Sequence, residues 1–202
     1  VMVMFADYRC PFCAKFSRDT EPELVDRFVS DGTLRLEWRD LPIFGAQSMQ
    51  AARAGRAAAA QGRFWEFNHA VFAESPERGH ADLTEEALVG FAQKAGVPDI
   101  ERFSAQMRST EFDAAINADL AQGTEIGVPS TPAFVINGVP TLGAQPTEVF
   151  VAAITEAVRV SRRLAAANPA RFEPDLASNL NSLSNRLSET GDIAGALAAS
   201  TE

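Results

Sequence analysis

Both cysteines of this chain lie in one tetrapeptide, Cys10-Pro11-Phe12-Cys13. The tetrapeptide follows an apolar run at residues 1–6 that is typical of a buried strand. A helical pattern begins at Pro11, and the first turn of a helix tolerates proline because its missing N–H would be unpaired there anyway. A strand that leads into C-x-x-C at the start of a helix is the arrangement of a dithiol redox site. The chain is thus expected to fold around a strand and a helix that meet at two thiols.

The start of the helix favours chemistry at the first cysteine. Unpaired N–H groups and a partial positive charge at a helix N-terminus stabilise a thiolate, and the thiolate is the nucleophile in disulfide exchange. We therefore predict that Cys10 is the nucleophile and the more exposed thiol. Cys13, one turn further on, is predicted to be buried and to resolve the mixed disulfide.

Two other uses of a C-x-x-C pair compete with this interpretation. Tetrahedral zinc needs two more ligands, but the chain has no third cysteine, and His69 and His80 are too far apart in sequence for the usual histidine pair. A purely structural disulfide across so short a loop would restrict the unfolded chain little. The sequence therefore predicts a redox dithiol, with no metal site and no cofactor.

The composition limits the fold and the partners. A chain of 202 residues can form one sizeable domain and an appendage. Apolar residues make up 46% and charged residues 22%, as in ordinary globular proteins. The formal net charge of −9 argues against nucleic acid or an anionic membrane as the main partner. No stretch reaches the roughly 20 apolar residues of a membrane span. The start shows no signal-peptide pattern, which says nothing about export.

The first third of the chain alternates between strand and helix patterns. After the strand at residues 1–6, residues 11–30 have apolar side chains at roughly helical spacing. Pro22 is expected to kink this helix or to break it near Thr20. Residues 33–39 alternate apolar and polar side chains, which predicts a second strand.

The remainder of the domain is predicted to be a helical segment followed by a hairpin. From about 46 to 125 the pattern is helical throughout, and glycine or proline marks the breaks between five helices. Residues 133–136 and 139–142 flank Asn137-Gly138, a hairpin turn signal. A long helix then runs to about residue 167. This order predicts an α/β fold with a helical insertion in a small sheet.

The arrangement resembles the DsbA-like branch of the thioredoxin superfamily, over roughly residues 1–158. It implies a thioredoxin-like domain at 1–160 whose inserted helical domain occupies about 46–125. The residues that carry the resemblance are those of four segments, 5–13, 39–42, 62–67 and, most tellingly, Gly127-Val128-Pro129-Ser130-Thr131-Pro132-Ala133-Phe134.

The resemblance also implies a cis-proline, Pro132, opposite the C-x-x-C. From the residues alone, proline is tolerated at the first position of a strand because it cannot donate to the ladder, and cis is the minority form of X–Pro bonds. In the family, this bond leaves the backbone of Thr131 free to pair with an extended substrate. Thr131, Pro132, Pro11 and Phe12 are the predicted substrate-binding residues.

One departure from the family concerns redox strength. The best-known strong oxidant of the family has histidine where this chain has Phe12, and phenylalanine offers no donor or charge to the Cys10 thiolate. We therefore expect a less extreme thiol pKa and a less oxidising couple. The apolar surface around Phe12 is expected to bind unfolded chains. Asp7 and Glu37 are the nearby acidic candidates for proton shuttling.

Residues 161–202 are predicted to form a separate helical extension. Leu180, Leu183 and Leu187, followed by Gly191, match the spacing of a tetratricopeptide repeat. A generic amphipathic helical hairpin explains the same spacing. A single repeat cannot bury its own face, so this tail is expected to dock, to self-associate or to be part of a longer array.

The sequence thus predicts an enzyme that forms or exchanges disulfides in unfolded or thiol-containing protein substrates and is recycled by a redox partner. An extracytoplasmic location, in a bacterial periplasm or cell envelope, is expected, and the cytoplasm stays open. The alternatives are a cytosolic reductase or isomerase, a chaperone or scaffold module that recruits a partner through its tail, and a glutathione-dependent enzyme. The last is disfavoured because such relatives generally do not keep both cysteines.

Overall fold

A four-stranded mixed sheet lies at the centre of the computed structural model, which describes residues 1–167. The spatial order is β2-β1-β3-β4; β1 is parallel to β2 and antiparallel to β3, and β3 is antiparallel to β4. The strands are β1 Met2–Ala6, β2 Leu36–Asp40, β3 Ala133–Ile136 and β4 Val139–Leu142.

The alternation of side chains along β1 divides the core in two. Successive side chains of a strand point to opposite faces. Met2, Met4 and Ala6 belong to the large core cluster that contains both cysteines. Val3 and Phe5 face the other side and pack in a smaller cluster with Leu41 and Ala133, among others. The dithiol therefore lies on one defined face of the sheet.

The predicted helix at 11–30 is interrupted, as expected, at Thr20. Helix α1, Pro11–Asp19, ends at Thr20, and α2, Glu21–Leu24, has proline in its first turn. A π-helical turn, Val25–Val29, follows α2 and was not predicted. The second strand begins at Leu36, three residues later than its sequence pattern suggests, because its register with β1 starts at the pair of Met2 and Leu36.

The predicted helical insertion is confirmed. The helices of the insertion are α3 Ala46–Ala59, α4 Phe64–Ala73, α5 Glu85–Lys94, α6 Ile100–Arg108 and α7 Asp113–Glu125. Thr84 caps α5, where its hydroxyl accepts a hydrogen bond from the backbone N–H of Ala87.

Aromatic packing joins the insertion to the sheet. The buried ring of Tyr8 lies 5.0 Å from Trp38, 5.8 Å from Phe67 and 5.6 Å from Phe72, measured between ring centroids. Gly55 of α3 leaves room for the ring, because a Cβ there would lie within 3.0 Å of two of its carbons. Rings of this kind bury large apolar areas and prefer tilted or offset contacts.

An ion-pair network around the buried carboxylate of Asp40 makes a second link between the insertion and the sheet. Arg56 donates to the buried carboxylate of Asp40 at 2.7 Å and also pairs with Asp119 of α7. Asp40 also accepts a hydrogen bond from the indole N–H of Trp38 at 2.8 Å. Each buried charge thus has a partner, which its burial requires.

The predicted hairpin, β3 and β4, forms one edge of the sheet. Asn137 and Gly138 both have positive φ, 48° and 88°, as the favoured two-residue hairpin turn requires. Helix α8, Thr147–Ala167, then packs Phe150 and Ile154 into the core.

Helix α8 runs without a break through residue 160, and the predicted domain boundary there stays a prediction. The predicted repeat-like tail at 168–202 lies outside the described residues. No helix among residues 1–167 is long and apolar enough to cross a membrane.

Candidate active site

The end of β1 and the start of α1 position the two cysteines. Cys10 has extended backbone angles, φ −78° and ψ 119°, and stands immediately before Pro11, the first residue of the helix. Its backbone N–H donates to the carbonyl of Asp7 at 3.0 Å, and its carbonyl accepts from Ala14 at 3.1 Å. Cys13 lies within the first turn, so both thiols stand at the N-terminus of α1.

Neither cysteine is in a disulfide, and both are buried, at 1% exposure for Cys10 and 0% for Cys13. That Cys10 is the more exposed of the two thiols stays a prediction, since the two differ by so little. The loop before β3 lies over Cys10: its Sγ is 3.3 Å from the carbonyl oxygen of Thr131. Sequence spacing could not show this contact because it joins residues 121 positions apart.

The two thiols nevertheless differ strongly in acidity. A hydrogen bond from the Cys13 side chain, with smaller contributions from Thr131 and two backbone N–H groups, outweighs burial and lowers the pKa of Cys10 to about 6. Burial, followed by interaction with Cys10, raises the pKa of Cys13 well above its usual value. At neutral pH the arrangement therefore holds one thiolate and one thiol, and the thiolate is the reactive species.

The peptide bond between Thr131 and Pro132 is cis, as the resemblance implied. Thr131 is 7% exposed, and among the described residues no group lies in hydrogen-bonding geometry to its hydroxyl. The O–H is therefore free to turn towards a thiolate, in keeping with its lowering effect on the Cys10 pKa. The predicted pair Thr131 and Pro132 is thus brought to the dithiol.

Asp7 has a structural part in the site. Its carboxylate accepts three backbone hydrogen bonds, from Arg9 at 2.8 Å, Ile43 at 2.8 Å and Phe44 at 3.2 Å. Burial raises the pKa of the carboxyl group, and these N–H donors oppose the rise. Asp7 thereby ties the dithiol loop, residues 7–10 between β1 and α1, to the loop after β2, while its predicted part in proton transfer stays a prediction.

Glu37 is not brought to the thiols. It pairs with Val3 in the parallel ladder, and Val3 belongs to the core cluster on the face of the sheet opposite the cysteines. Its carboxylate forms ion pairs with Arg35 and Arg39, both at 2.8 Å. The hypothesis that Glu37 shuttles protons for the dithiol is therefore wrong, because the alternation of β2 points it to the other side.

The surface next to the dithiol is partly apolar. Phe12 is 60% exposed and Ile43 is 44% exposed. A shallow cavity of about 330 Å³ adjoins Phe12, and charged side chains from α1 and the α4–α5 loop line its other walls. Phe12 was predicted from the sequence, but the loop at 43–44 was not, because no local pattern marks it as part of the site.

The comparisons with known proteins agree with this geometry. The family model described as Thioredoxin matches residues 1–156. The chain belongs to the thioredoxin family. Its fold is that of the DsbA-like thiol–disulfide oxidoreductases, with the helical insertion between β2 and β3.

Two kinds of curated relative are similar to the chain. A Na(+)/H(+) antiporter NhaA of Herminiimonas arsenicoxydans is 35% identical over 162 residues, which cover 80% of this chain and 24% of the antiporter. A probable disulfide bond formation protein D of Bacillus anthracis is 26% identical over 140 residues, or 68% of this chain and 64% of that protein. The chain thus spans about a quarter of the antiporters that it matches.

Solved structures share the fold over most of the chain. BdbD of Bacillus subtilis superimposes with a TM-score of 0.73 at 20% identity, covering 78% of this chain and 86% of BdbD. A thioredoxin-like oxidoreductase of Silicibacter pomeroyi gives a TM-score of 0.67 at 31% identity, with coverage of 78% and 86%.

Proposed function

We propose that this protein is a thiol–disulfide oxidoreductase that forms or exchanges disulfides in protein substrates. The observation that carries the proposal is the placement of two thiols at the start of α1, with the Cys10 Sγ 3.3 Å from the carbonyl oxygen of Thr131 before the cis bond to Pro132. The acidity of the thiols agrees with it, because the pKa of Cys10 is lowered to about 6 and that of Cys13 is raised. A low pKa makes Cys10 both the thiolate and the better leaving group. The high pKa of Cys13 keeps it protonated until it is needed.

In the oxidising direction the reaction consists of two thiol–disulfide exchanges. A substrate thiolate attacks the Cys10 sulfur of the Cys10–Cys13 disulfide, and Cys13 leaves and takes up a proton. A second substrate thiolate attacks the substrate sulfur of the mixed disulfide and releases the Cys10 thiolate. The substrate dithiol loses two electrons, and the enzyme disulfide gains them. The reverse sequence reduces a substrate, with Cys13 as the resolving thiol.

The acidity of Cys10 also indicates the redox strength of the couple. A pKa of about 6 lies between the values of about 7 in thioredoxin and about 3.5 in DsbA. A stabilised thiolate favours the reduced form and so makes the disulfide more oxidising. We therefore expect a reduction potential between about −270 and −120 mV. This agrees with the weaker oxidant expected from Phe12.

The substrate surface is proposed to combine an apolar rim with a free backbone edge. Phe12 and Ile43 are exposed beside the dithiol, and Pro11 continues this rim. Thr131 and Pro132 lie over Cys10 and are proposed to pair with an extended substrate. Such a surface suits unfolded chains, because they present both apolar side chains and unpaired backbone groups.

The partner and the compartment follow from the direction of the reaction. An oxidase needs a membrane or soluble partner that reoxidises its dithiol, and it works where disulfides persist, outside the cytosol. The likeness to a disulfide bond formation protein supports an extracytoplasmic bacterial location. A cytosolic reductase is the second candidate, and the reduction potential separates the two.

The test is the reduction potential of the Cys10–Cys13 couple in glutathione buffers, together with oxidation of a reduced, unfolded protein by the full chain. We expect a potential above that of thioredoxin and complete loss of activity in Cys10→Ser. Cys13→Ser should retain attack and accumulate a mixed disulfide. Full activity in Cys10→Ser would contradict the proposal, and a potential near −270 mV would make the protein a reductase.

A further inference from the structure

His80 lies beside the dithiol loop although it belongs to the segment between α4 and α5. Its Nδ1 is 3.3 Å from the carbonyl oxygen of Arg9, the residue before Cys10. A carbonyl oxygen can only accept a hydrogen bond, so Nδ1 carries the proton in this contact. The imidazole also packs on the ring of Phe44, with centroids 4.1 Å apart and planes 30° apart.

The side chain of Arg9 donates hydrogen bonds to two of the surrounding loops. Its Nε donates to the carbonyl of Ala81 at 2.8 Å, and its Nη1 donates to the carbonyl of Phe44 at 2.5 Å. Its own backbone N–H donates to Asp7. Hydrogen bonds at Arg9, the residue that precedes Cys10, therefore join three segments that are far apart in sequence. His80 supplies the donor to the Arg9 carbonyl.

We propose that His80 is a positioning residue of the dithiol, which holds the Arg9 carbonyl and thereby fixes the peptide unit that carries the Cys10 nitrogen. The inference rests on the proposed function and adds a residue that touches neither thiol. It also assigns the helical insertion a part in the chemistry, because the α4–α5 loop reaches back to the dithiol loop through this contact.

The physical reason lies in the contacts that Cys10 makes. Its N–H donates to Asp7 at 3.0 Å, and its Sγ lies 3.3 Å from the Thr131 carbonyl. Hydrogen bonds weaken steeply as distance and angle depart from their optimum. A shift of the peptide between residues 9 and 10 therefore moves the Cys10 sulfur relative to the groups that lower its pKa, namely the side chains of Cys13 and Thr131 and two backbone N–H groups. The stability of the thiolate and the approach of a substrate change with it.

Two variants of His80 separate its donor from its ring. His80→Phe keeps a ring to pack on Phe44 but removes the donor to Arg9. His80→Asn keeps an N–H donor close to the place of Nδ1 but removes the ring. Arg78→Ala, an exposed residue of the same loop, is the matched control.

The readouts are the ionisation of Cys10, followed by the ultraviolet absorbance of its thiolate, and the reduction potential and exchange rate of the full chain. We expect His80→Phe to lower the ionisation constant of Cys10 and the exchange rate about three- to tenfold, the worth of one hydrogen bond. His80→Asn should stay within about twofold of the wild type, and Arg78→Ala should equal it. If the His80 ring acted only by packing on Phe44, His80→Asn would lower the ionisation of Cys10 and the exchange rate more than His80→Phe.

Each outcome decides the inference. Wild-type ionisation and potential in His80→Phe would overturn it, as would equal losses in both His80 variants. If the wild type itself exchanges no disulfides, the proposed function fails instead, while the ionisation of Cys10 in the variants still tests His80.

Discussion

Cys10 and Cys13 are neighbours in one tetrapeptide, yet their surroundings give them opposite chemistry. Cys10 receives hydrogen bonds that favour its charged form, and the pKa of its thiol falls to about 6. Cys13 lies under the start of the helix, where burial opposes the charge and raises its pKa. The difference arises from which groups reach each sulfur, since the two residues are chemically the same.

The depressed pKa of Cys10 predicts how the stability of the reduced protein depends on pH. The thiol has a pKa of 9.0 when unperturbed and about 6 in the fold. Between these values the unfolded chain binds a proton that the folded chain does not, so the free energy of unfolding should rise with pH from about 6 to about 9. Three pKa units correspond to at most about 4 kcal/mol. Denaturant unfolding of the reduced protein at several pH values measures the slope.

The control for this prediction is Cys10→Ser, which should lack that part of the slope. His69 contributes in the opposite sense, because its imidazole Nε2–H donates to the Glu21 carboxylate at 2.9 Å, which raises the His69 pKa, and the resulting stability is lost as pH rises. Only the difference between the two proteins therefore isolates Cys10. An identical slope in both would show that the Cys10 pKa is not depressed.

At the scale of the element, α3 packs tightly on Tyr8, a buried residue of the dithiol loop. Gly55 faces the buried ring of Tyr8, and an added Cβ would lie closer to the hydroxyl than van der Waals contact permits. Tyr8 is itself held between Trp38 and two rings of α4. The Tyr8 ring therefore cannot move away from a larger side chain at position 55. The absence of a side chain at Gly55 allows α3 to pack this closely on the sheet.

Gly55→Ala is predicted to destabilise the protein by about 1–3 kcal/mol through overpacking. Gly90→Ala in α5 is the matched control, because no atom lies within 4 Å of its added Cβ. That control should stabilise the protein by up to about 1 kcal/mol, since alanine restricts the unfolded chain and favours helix. Thermal unfolding of both variants measures the effects. Equal effects would mean that the contact with Tyr8 is looser than the structure shows.

At the scale of the whole molecule, one core supports both the sheet and the inserted helices. The aromatic cluster at Tyr8 and the ion pairs of Arg56 connect the two. The long helix α8 completes the core with Phe150 and Ile154, and among the described residues no fully buried side chain follows Ile154. The family match also ends at residue 156.

A chain that ends after Ala167 is therefore predicted to keep its fold and its dithiol exchange. Its melting temperature should stay within a few degrees of that of the full chain, because the side chains that complete the described core lie before residue 168. Calorimetry and the exchange assay measure the two properties. A large loss of stability would contradict the prediction.

The sequence alone determined the dithiol, the strands, the helical insertion and the hairpin. These features depend on neighbours in the chain: the spacing of the cysteines, the change of hydrophobic period, and Asn137-Gly138 as a turn that needs two positive φ angles. The resemblance added the cis bond before Pro132. Local patterns suffice for such features because their energies arise within a few residues.

Only the tertiary structure decided what surrounds the sulfur atoms. It buried Cys10 under Thr131, which lies 121 positions away in sequence, and it placed Glu37 on the opposite face of the sheet. It also brought His80 to the carbonyl of Arg9 across 71 positions. Such contacts depend on how packed elements meet, and the acidity of a thiol depends on the groups within a few ångströms of it, whatever their place in the chain.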